Sequence, residues 1–198
     1  MQTHFPKAYA YILTFKDKLI EKKKKYKTNT QFWYSLHRAR EIDMFESDKI
    51  LTPEISYGCN MSLDRKGLYH NTQNYTIQPK EEYKKITKNL LGILNSKLFW
   101  FYISNTGTVL RGGYFRFKTK YIESFPIPIK KLADSTCKRI KELVSEILTT
   151  KQVAQDTDTS ALEQEIDRLV YKLYDLTYDE VKIVDPDTLL TAEDYNKE

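Results

Sequence analysis

The stretch Phe125-Pro126-Ile127-Pro128-Ile129 separates two parts of the chain that differ in sequence texture. A residue that precedes a proline is pushed out of the helical region of backbone space, so this stretch is extended and marks a domain edge. Before it, residues 31–77 are rich in aromatic and β-branched side chains and are interrupted by proline, glycine and asparagine, which is typical of short strands and turns. We therefore predict an α+β protein, with a β-rich body over residues 1–131 and a C-terminal helical hairpin and tail over residues 132–198.

Stretches with helical spacing flank the predicted strands and follow the domain edge. Residues 5–25 and 81–103 both repeat apolar side chains every three or four positions. Residues 134–152 carry another apolar stripe, and a further one follows Ser160. Capping-box patterns from Ser160 to Glu163 and from Thr177 to Glu180 predict helix starts. Two apolar stripes joined by a short loop favour an antiparallel α-hairpin.

Composition limits the classes of protein to which the chain can belong. The chain has 198 residues, of which 40% are apolar and 30% are charged, as in an ordinary globular protein. No apolar run approaches the ~20 residues that span a bilayer, and the first residues contain no signal-peptide core, so we expect no membrane association. The two distant cysteines, Cys59 and Cys137, argue against a disulfide scaffold or a zinc site and favour a reducing cytoplasm.

The formal net charge of +5 conceals an uneven distribution of charge along the chain. Residues 1–131 contain 24 Lys and Arg against 11 Asp and Glu, whereas residues 132–198 contain 8 against 16. A basic body followed by an acidic segment predicts that the body binds a polyanion such as nucleic acid. The alternative is a protein whose helices happen to be acidic. The 15 tyrosines add flat rings with a polar tip, which suit a binding surface.

Motifs for common enzyme chemistry are missing from the sequence. It has no glycine-rich phosphate loop, dinucleotide-binding fingerprint, Gly-x-Ser-x-Gly elbow or His-Glu-x-x-His pair, and it has three histidines. Asp64, Glu82 and Lys84 can be combined into a nuclease-like metal set. Glu82 and Lys84, however, fall on opposite sides of a predicted helix and serve equally well as its solvated face. We therefore predict neither a metal site nor catalytic residues.

Clusters of cations beside aromatic or hydrogen-bonding side chains are candidates for nucleic-acid contacts. The first combines Trp33 and Tyr34 with Arg38 and Arg40, because arginines reach phosphates or a guanine edge. Its alternative is an aromatic pair in the core with two surface arginines. A second cluster surrounds a predicted turn, where hydrogen-bonding groups beside cations suit base-edge readout, although a polar surface turn explains it equally well. Its members are Arg65, Lys66, Tyr69, His70 and Asn71.

The third cluster alternates cations and aromatic rings over residues 111–118, a strand-like pattern that contains a glycine pair. The glycines permit close approach of the backbone to a ligand, and Arg111, Arg116 and Lys118 are the candidate phosphate contacts. A tight hairpin without any ligand is the alternative. Short strands and turns are also predicted over residues 49–52 and 68–71.

Seven short segments, taken in order along the chain, carry a family resemblance. They are Trp33-Tyr34-x-Leu36, Lys49-Ile50-x-x-Pro53-x-Ile55-Ser56, Asp64-x-x-Gly67-x-Tyr69, Leu91-x-Ile93-Leu94-Asn95-Ser96-Lys97-Leu98, Gly112-Gly113-Tyr114-x-Arg116-Phe117, Tyr121-Ile122-Glu123-x-x-Pro126-Ile127-Pro128 and Glu165-Ile166-Asp167-x-x-Val170-Tyr171-x-Leu173-Tyr174-x-Leu176-Thr177. Together they resemble the TaqI-like C-terminal specificity domain. Lys49, in the second segment, joins the candidate DNA contacts.

The resemblance implies the target-recognition part of a type II, IIG-like DNA N6-adenine methyltransferase of a restriction-modification system. It also implies a double β-helix-like body followed by an α-hairpin. The family's catalytic half binds S-adenosylmethionine and carries an Asn-Pro-Pro-Tyr/Phe motif, which this sequence lacks. We therefore expect neither cofactor nor catalysis on this chain, and we expect duplex DNA and a catalytic methyltransferase domain, in cis or in trans, as partners.

Two other classes of function stay open at this point. The chain can be a protein-interaction module in which the helical hairpin docks a partner and the lysines only solvate the surface. It can also be a single-stranded nucleic-acid binder that stacks bases on its tyrosines.

Overall fold

The computed structural model describes residues 1–28, 32–35, 41–131 and 135–197. Contacts divide the chain into two compact units, Met1–Met44 and Phe45–Glu198. Helices together with small antiparallel sheets make the protein α+β, as predicted. In the part of the chain that the structure describes, no helix is both long enough and apolar enough to cross a membrane.

The described residues form the α-helices α1 (Pro6–Leu13), α2 (Lys16–Tyr26), α3 (Ile42–Glu46), α4 (Thr87–Asn95), α5 (Lys97–Thr106), α6 (Thr119–Glu123), α7 (Ser135–Val153), α8 (Ser160–Leu173), α9 (Tyr178–Val184) and α10 (Ala192–Asn196). The strands are β1 (Lys49–Pro53), β2 (Ile55–Ser56), β3 (Ser62–Asp64), β4 (Asn74–Ile77), β5 (Thr108–Val109) and β6 (Phe115–Arg116). Short 3-10 helices cover Glu81–Ile86 and Ile129–Lys131.

The first unit contains two helices where the sequence predicts one over residues 5–25. The Thr14 hydroxyl donates to the Tyr11 carbonyl (2.7 Å), and the Phe15 amide donates to the Ile12 carbonyl (2.9 Å). The Thr14 side-chain bond competes with the regular helical ladder and the Phe15 backbone bond tightens the last turn, so α1 ends at Leu13 and α2 begins at Lys16. Within the lysine run of α2, the Lys23 side chain is buried and donates to the Ser35 hydroxyl (2.7 Å).

Two three-stranded antiparallel sheets lie in the second unit. In the first sheet β1 is central, with β3 and β4 on either side, and Ile50 is paired with Leu63 on one strand and with Ile77 on the other. In the second sheet β6 is central between β2 and β5. Residues 68–71, where short strands and turns are predicted, form no strand, and β4 begins at Asn74.

Glu54 lies between β1 and β2 and connects the two sheets. Its amide donates to the Gln73 carbonyl (2.8 Å) beside the first sheet, and its carbonyl accepts from the Phe117 amide (2.8 Å) beside the second. One continuous stretch of chain therefore passes from one sheet into the other at this residue.

Helices α4, α5, α7 and α8 pack on one another to form the main core, and α4 also packs against β1 and β3. Fully buried side chains of this core include Ile50, Ile93, Phe99, Ile103, Ile140, Leu143 and Val170. Gly92 allows α4 to approach α7, because a Cβ atom at this position would lie 2.9 Å from Ile140 Cγ2 and 3.1 Å from Val144 Cγ2. The predicted domain edge at residues 125–129 therefore precedes helices that share a core with the strands.

The helix predicted over residues 81–103 is interrupted at Ser96. This residue has extended backbone (ψ 159°), and its hydroxyl accepts from the Phe99 amide (3.3 Å), so it caps α5. The preceding Asn95 uses its side-chain amide to bond both backbone groups of Met61, at 2.8 and 3.0 Å. Because the helix breaks here, Asn95 at the end of α4 can bond the loop that precedes β3.

The helices after residue 134 lie near their predicted positions. The predicted capping box from Ser160 to Glu163 is wrong: the cap is Thr159, whose hydroxyl bonds the Glu163 side chain, while the Ser160 amide bonds Asp158 (2.9 Å). The box at Thr177 and Glu180 is confirmed, with both of its hydrogen bonds formed.

Candidate nucleic-acid interface

The loop formed by residues 65–70, which contains most of the second cluster, begins at a buried ion pair. The Lys49 ammonium bonds the Asp64 carboxylate and the Phe45 carbonyl, and the Lys49 and Asp64 side chains are 0% and 2% exposed. The prediction that Lys49 contacts DNA is therefore corrected. Its side chain points into the protein because it forms an ion pair with the buried Asp64 carboxylate, which lies 15 residues later in the chain.

Asp64 also accepts hydrogen bonds from the backbone of this loop. Its two carboxylate oxygens accept from the Lys66 amide and the Leu68 amide, both at 2.8 Å. Burial raises the pKa of the Asp64 carboxyl, but the hydrogen bonds from Lys49, Lys66 and Leu68 outweigh burial and leave the pKa below its ordinary value. The ionised form of Asp64 therefore stabilises the loop.

Backbone geometry and ring stacking also hold this loop against residues 45 and 46. Gly67 has a φ of +68°, a conformation that favours glycine, and a Cβ there would lie 3.4 Å from the Glu46 Cα. The Tyr69 ring stacks on Phe45 (4.6 Å between centroids), and its hydroxyl donates to Glu46 (3.2 Å). Tyr69 nevertheless remains 63% exposed, so one face of the ring is available to a ligand.

The cations of the second cluster are exposed on this loop. Arg65 lies 3.5 Å from the Asp48 carboxylate, with both side chains more than half exposed, and the Lys66 side chain is exposed. An exposed pair such as Arg65 and Asp48 is worth little in water, so it leaves Arg65 available for a phosphate.

His70 and Asn71 have local hydrogen-bond partners. The two His70 ring nitrogens lie 2.9 Å from the Asn71 carbonyl and 2.6 Å from the Thr76 hydroxyl. The Asn71 side-chain oxygen accepts from the Gln73 amide (2.9 Å), as in an Asx turn. These contacts support the alternative in which the two residues stabilise a polar turn.

The third cluster forms a hairpin between β5 and β6. Gly112 and Gly113 have φ values of +82° and +78°, and the Leu110 amide donates to the Tyr114 carbonyl (2.7 Å). Only residues 115 and 116 of the predicted strand are paired, because these left-handed backbones turn the chain before them. Arg111 is exposed at this turn and Lys118 is half-buried after β6.

Arg116 connects the hairpin with Glu54. Its Nε atom lies 3.6 Å from Glu54 Oε1, and this buried Nε–H finds no hydrogen-bond partner among the described residues. The Glu54 backbone also bonds Gln73, so the end of the turn that follows Asn71 lies beside the third cluster. Arg65 follows Asp64, which pairs with Lys49 at the other end of β1.

An exposed aromatic pair that was not predicted lies against the glycine turn. Tyr57 is 67% exposed, its ring packs edge to face on Tyr114 (6.0 Å between centroids), and a Cβ at Gly113 would lie 3.2 Å from it. The high tyrosine content was the only sequence signal of this pair, because the contact joins residues that are distant in the chain.

The first cluster lies in the first unit. Trp33 and Tyr34 are half-buried and pack on Tyr9, with ring centroids at 5.9 and 6.0 Å. Arg38 and Arg40 lie outside the described residues.

Two of the three residues considered for a nuclease-like set, Asp64 and Lys84, form ion pairs. Asp64 is buried against Lys49, and the Lys84 ammonium pairs with Glu81. Across residues 1–28, 32–35, 41–131 and 135–197, no group of three or more His, Cys, Asp or Glu side chains is arranged to hold a metal ion.

Comparison with known families identifies the class of domain. The chain belongs to the family of TaqI-like C-terminal specificity domains, whose model matches residues 8–127. Among individual proteins, it is similar to the type II methyltransferase M.BanIII of Aneurinibacillus aneurinilyticus, with 30% identity over 132 residues. That alignment covers 64% of this chain and 22% of the relative, so the chain spans about a fifth of the curated relative that it matches. The family match ends before α7, so the last of the seven segments, at residues 165–177, lies beyond it.

Proposed function

We propose that this chain is the target-recognition part of a restriction-modification DNA N6-adenine methyltransferase of type II, IIG-like, and that it reads duplex DNA. The observation that carries the proposal is the family match over residues 8–127. The similarity to M.BanIII, a type II methyltransferase, supports the same context. The geometry that suits such a role is a pair of basic segments with exposed cations, residues 65–66 and 111–118, carried by two sheets that are joined at Glu54.

The methyl transfer itself belongs to a partner. A catalytic methyltransferase domain, in cis or in trans, binds S-adenosylmethionine and flips the target adenine out of the duplex. This chain holds no cofactor and supplies no catalytic residue. Both parts work in the cytoplasm, where their DNA target is found.

Affinity and selectivity come from different side chains. Phosphate contacts position a protein on the duplex without carrying sequence information, and groove contacts to base edges carry that information. The proposed phosphate contacts are Arg38, Arg40, Arg65, Lys66, Arg111, Arg116 and Lys118. Tyr69 lies beside the bases, while His70 and Asn71 shape the turn that follows. Lys49 is buried and supports the 65–70 loop through its ion pair with Asp64.

The finer architecture is proposed together with the function. The two small sheets, joined at Glu54, are the described part of a double β-helix-like body. Helices α7 and α8 pair as an antiparallel hairpin, and Arg139 of α7 bonds Glu165 of α8 (2.9 Å) in support of their pairing. Because this segment is acidic, it packs on the body and on the catalytic partner and stays away from phosphate.

A salt titration on matched duplex and single-stranded oligonucleotides tests the proposal. We expect duplex binding to weaken with salt. The logarithm of the binding constant should fall by about 0.9 for each phosphate contact per tenfold rise in salt concentration. Salt-independent or undetectable binding of both forms would favour the protein-interaction module. A clear preference for the single strand would favour base stacking on exposed rings such as Tyr57 and Tyr69.

A further inference from the structure

The Lys49–Asp64 ion pair is buried in a place where stability alone does not require it. Both side chains are almost completely excluded from solvent. Removing two charges from water is unfavourable, and apolar side chains of similar volume often stabilise a core as well as a buried ion pair does. A buried pair is best explained by something that its hydrogen bonds position.

The hydrogen bonds of the pair converge on the chain segments at the base of the 65–70 loop. Lys49 donates to the Phe45 carbonyl as well as to Asp64. Asp64 accepts from the amides of Lys66 and Leu68. The pair therefore connects Phe45, whose ring stacks on Tyr69, with the backbone that carries Arg65, Lys66 and Tyr69 to the surface.

We propose that Lys49 and Asp64 are positioning residues for sequence discrimination, because they hold the 65–70 loop in one conformation without touching DNA themselves. This inference rests on the proposed function. A contact to a base edge discriminates only if its side chain is held in a defined geometry, whereas a lysine or arginine follows a phosphate over some displacement. Loss of the pair therefore reduces selectivity more than it reduces overall affinity.

The test uses the full chain and two variants that disturb the pair in different ways. Asp64→Asn removes the charge and keeps one acceptor for the loop amides. The double variant with Lys49→Met and Asp64→Leu removes both charges, so that the core stays apolar while the loop amides lose their acceptor. The double variant keeps the test decisive if Asp64→Asn fails to fold, because it leaves no unpaired buried charge.

Val181→Ala is the matched control for lost stability. Val181 is 0% exposed and packs with Tyr171 and Tyr195, so its truncation removes buried apolar contacts without changing any group around the loop. Melting temperatures of all variants establish which are folded at the temperature of the binding assay.

The wild-type chain is first used to select its preferred recognition sequence, the selected word, from a random duplex library. The dissociation constants for that word and for a scrambled duplex are then measured for each variant. We expect the ratio of the two dissociation constants to fall about tenfold or more in both pair variants. One well-read base pair carries discrimination of that size. Binding of the scrambled duplex should stay within about twofold of wild type, because phosphate contacts persist. Val181→Ala should keep the ratio.

Two results would overturn the inference, and the experiment distinguishes between them. If the folded double variant keeps the wild-type ratio, the pair has no positioning role and the proposed function stands. If the wild-type chain shows no salt-dependent duplex binding at all, the proposed function fails and the role of the pair fails with it.

Discussion

The Arg116 guanidinium lies beside the Glu54 carboxylate, with 3.6 Å between Nε and Oε1, which is too long for a hydrogen bond. The side chains of Arg116 and Glu54 are 37% and 28% exposed, so water reaches both. The Nε–H of Arg116 is itself buried and has no acceptor among the described residues, so a phosphate can meet this side chain only through its exposed part.

Replacing Arg116 should therefore weaken binding of every duplex sequence alike. For Arg116→Ala we expect the salt slope of duplex binding to fall by about 0.9, the share of one phosphate contact. Arg139→Ala is the control, since Arg139 is held by Glu165 in the acidic helical segment, and its loss should leave the slope unchanged. An unchanged slope with a lowered melting temperature for Arg116→Ala would limit Arg116 to its pairing with Glu54.

The exposed ring of Tyr57 should contribute to duplex affinity. Tyr57→Ala is expected to weaken binding by about 1 kcal/mol or more, because exposed aromatic side chains dominate many interfaces. Tyr57→Phe keeps the ring and its contact with Tyr114, and should bind nearly as wild type. Tyr11→Ala removes another ring that is equally exposed, in the first unit. Equal losses in Tyr57→Ala and Tyr11→Ala, measured by fluorescence anisotropy, would contradict a specific role for Tyr57.

Asn71 should affect stability more than sequence selectivity. Its side-chain oxygen accepts from the Gln73 amide, so Asn71→Ala removes one turn hydrogen bond and should lower the free energy of unfolding by about 1 kcal/mol. Denaturant unfolding measures this change, and the selected DNA word should stay the same. If Asn71→Ala accepts a broader set of DNA sequences while its stability is unchanged, Asn71 contacts the bases instead.

Gly92 should not tolerate a larger side chain. In Gly92→Val the new methyl groups meet Ile140 and Val144 of α7, and we expect overpacking to reduce stability by about 1–3 kcal/mol. Gly58→Val is a useful comparison, since a Cβ at that glycine meets nothing within 4 Å and any loss there comes from the backbone alone. Thermal unfolding that is unchanged in Gly92→Val would show that α4 and α7 separate easily.

Asp167 should make stability depend on pH. Burial raises the pKa of its carboxyl to about 7, although the Lys97 amide donates to it (2.8 Å) and partly opposes the shift. Between the ordinary value of 3.8 and about 7, the folded state binds more protons than the unfolded state, so the free energy of unfolding falls as pH rises.

Asp167→Asn removes this titration and keeps an oxygen for the Lys97 amide. The variant should be more stable than wild type at pH 8, by an amount on the order of a few kcal/mol at most, and nearly equal to it at pH 4. Urea unfolding at the two values measures the difference. A gap of the same size at both would assign the effect to packing.

Patterns that depend on neighbouring residues were predictable from the sequence. The apolar stripes located α7 and α8, and the box at Thr177 and Glu180 formed both of its hydrogen bonds, because these signals act within a turn or two of helix. The cations at positions 65, 66 and 111 are exposed, while their contacts with DNA stay predictions.

Features that depend on distant contacts were not predictable in the same way. The end of α4 is set partly by the bonds of Asn95 to Met61, which is 34 residues away. Lys49 looks like a surface cation until Asp64 is found beside it in the folded chain. The Tyr57–Tyr114 contact likewise exists only after the second sheet has formed.

The connection at Glu54 has a consequence for how such a domain can be altered. Both links between the sheets use backbone groups, so they persist when side chains change. Apart from Gly67, Gly112 and Gly113, whose positive φ values favour glycine, residues 65–73 and 110–114 can then vary in sequence while the strands beside them keep a constant separation. Under the proposed function, exchange of these two turns between related domains should change the DNA sequence that is recognised, while the sheets and the buried helices stay unaltered.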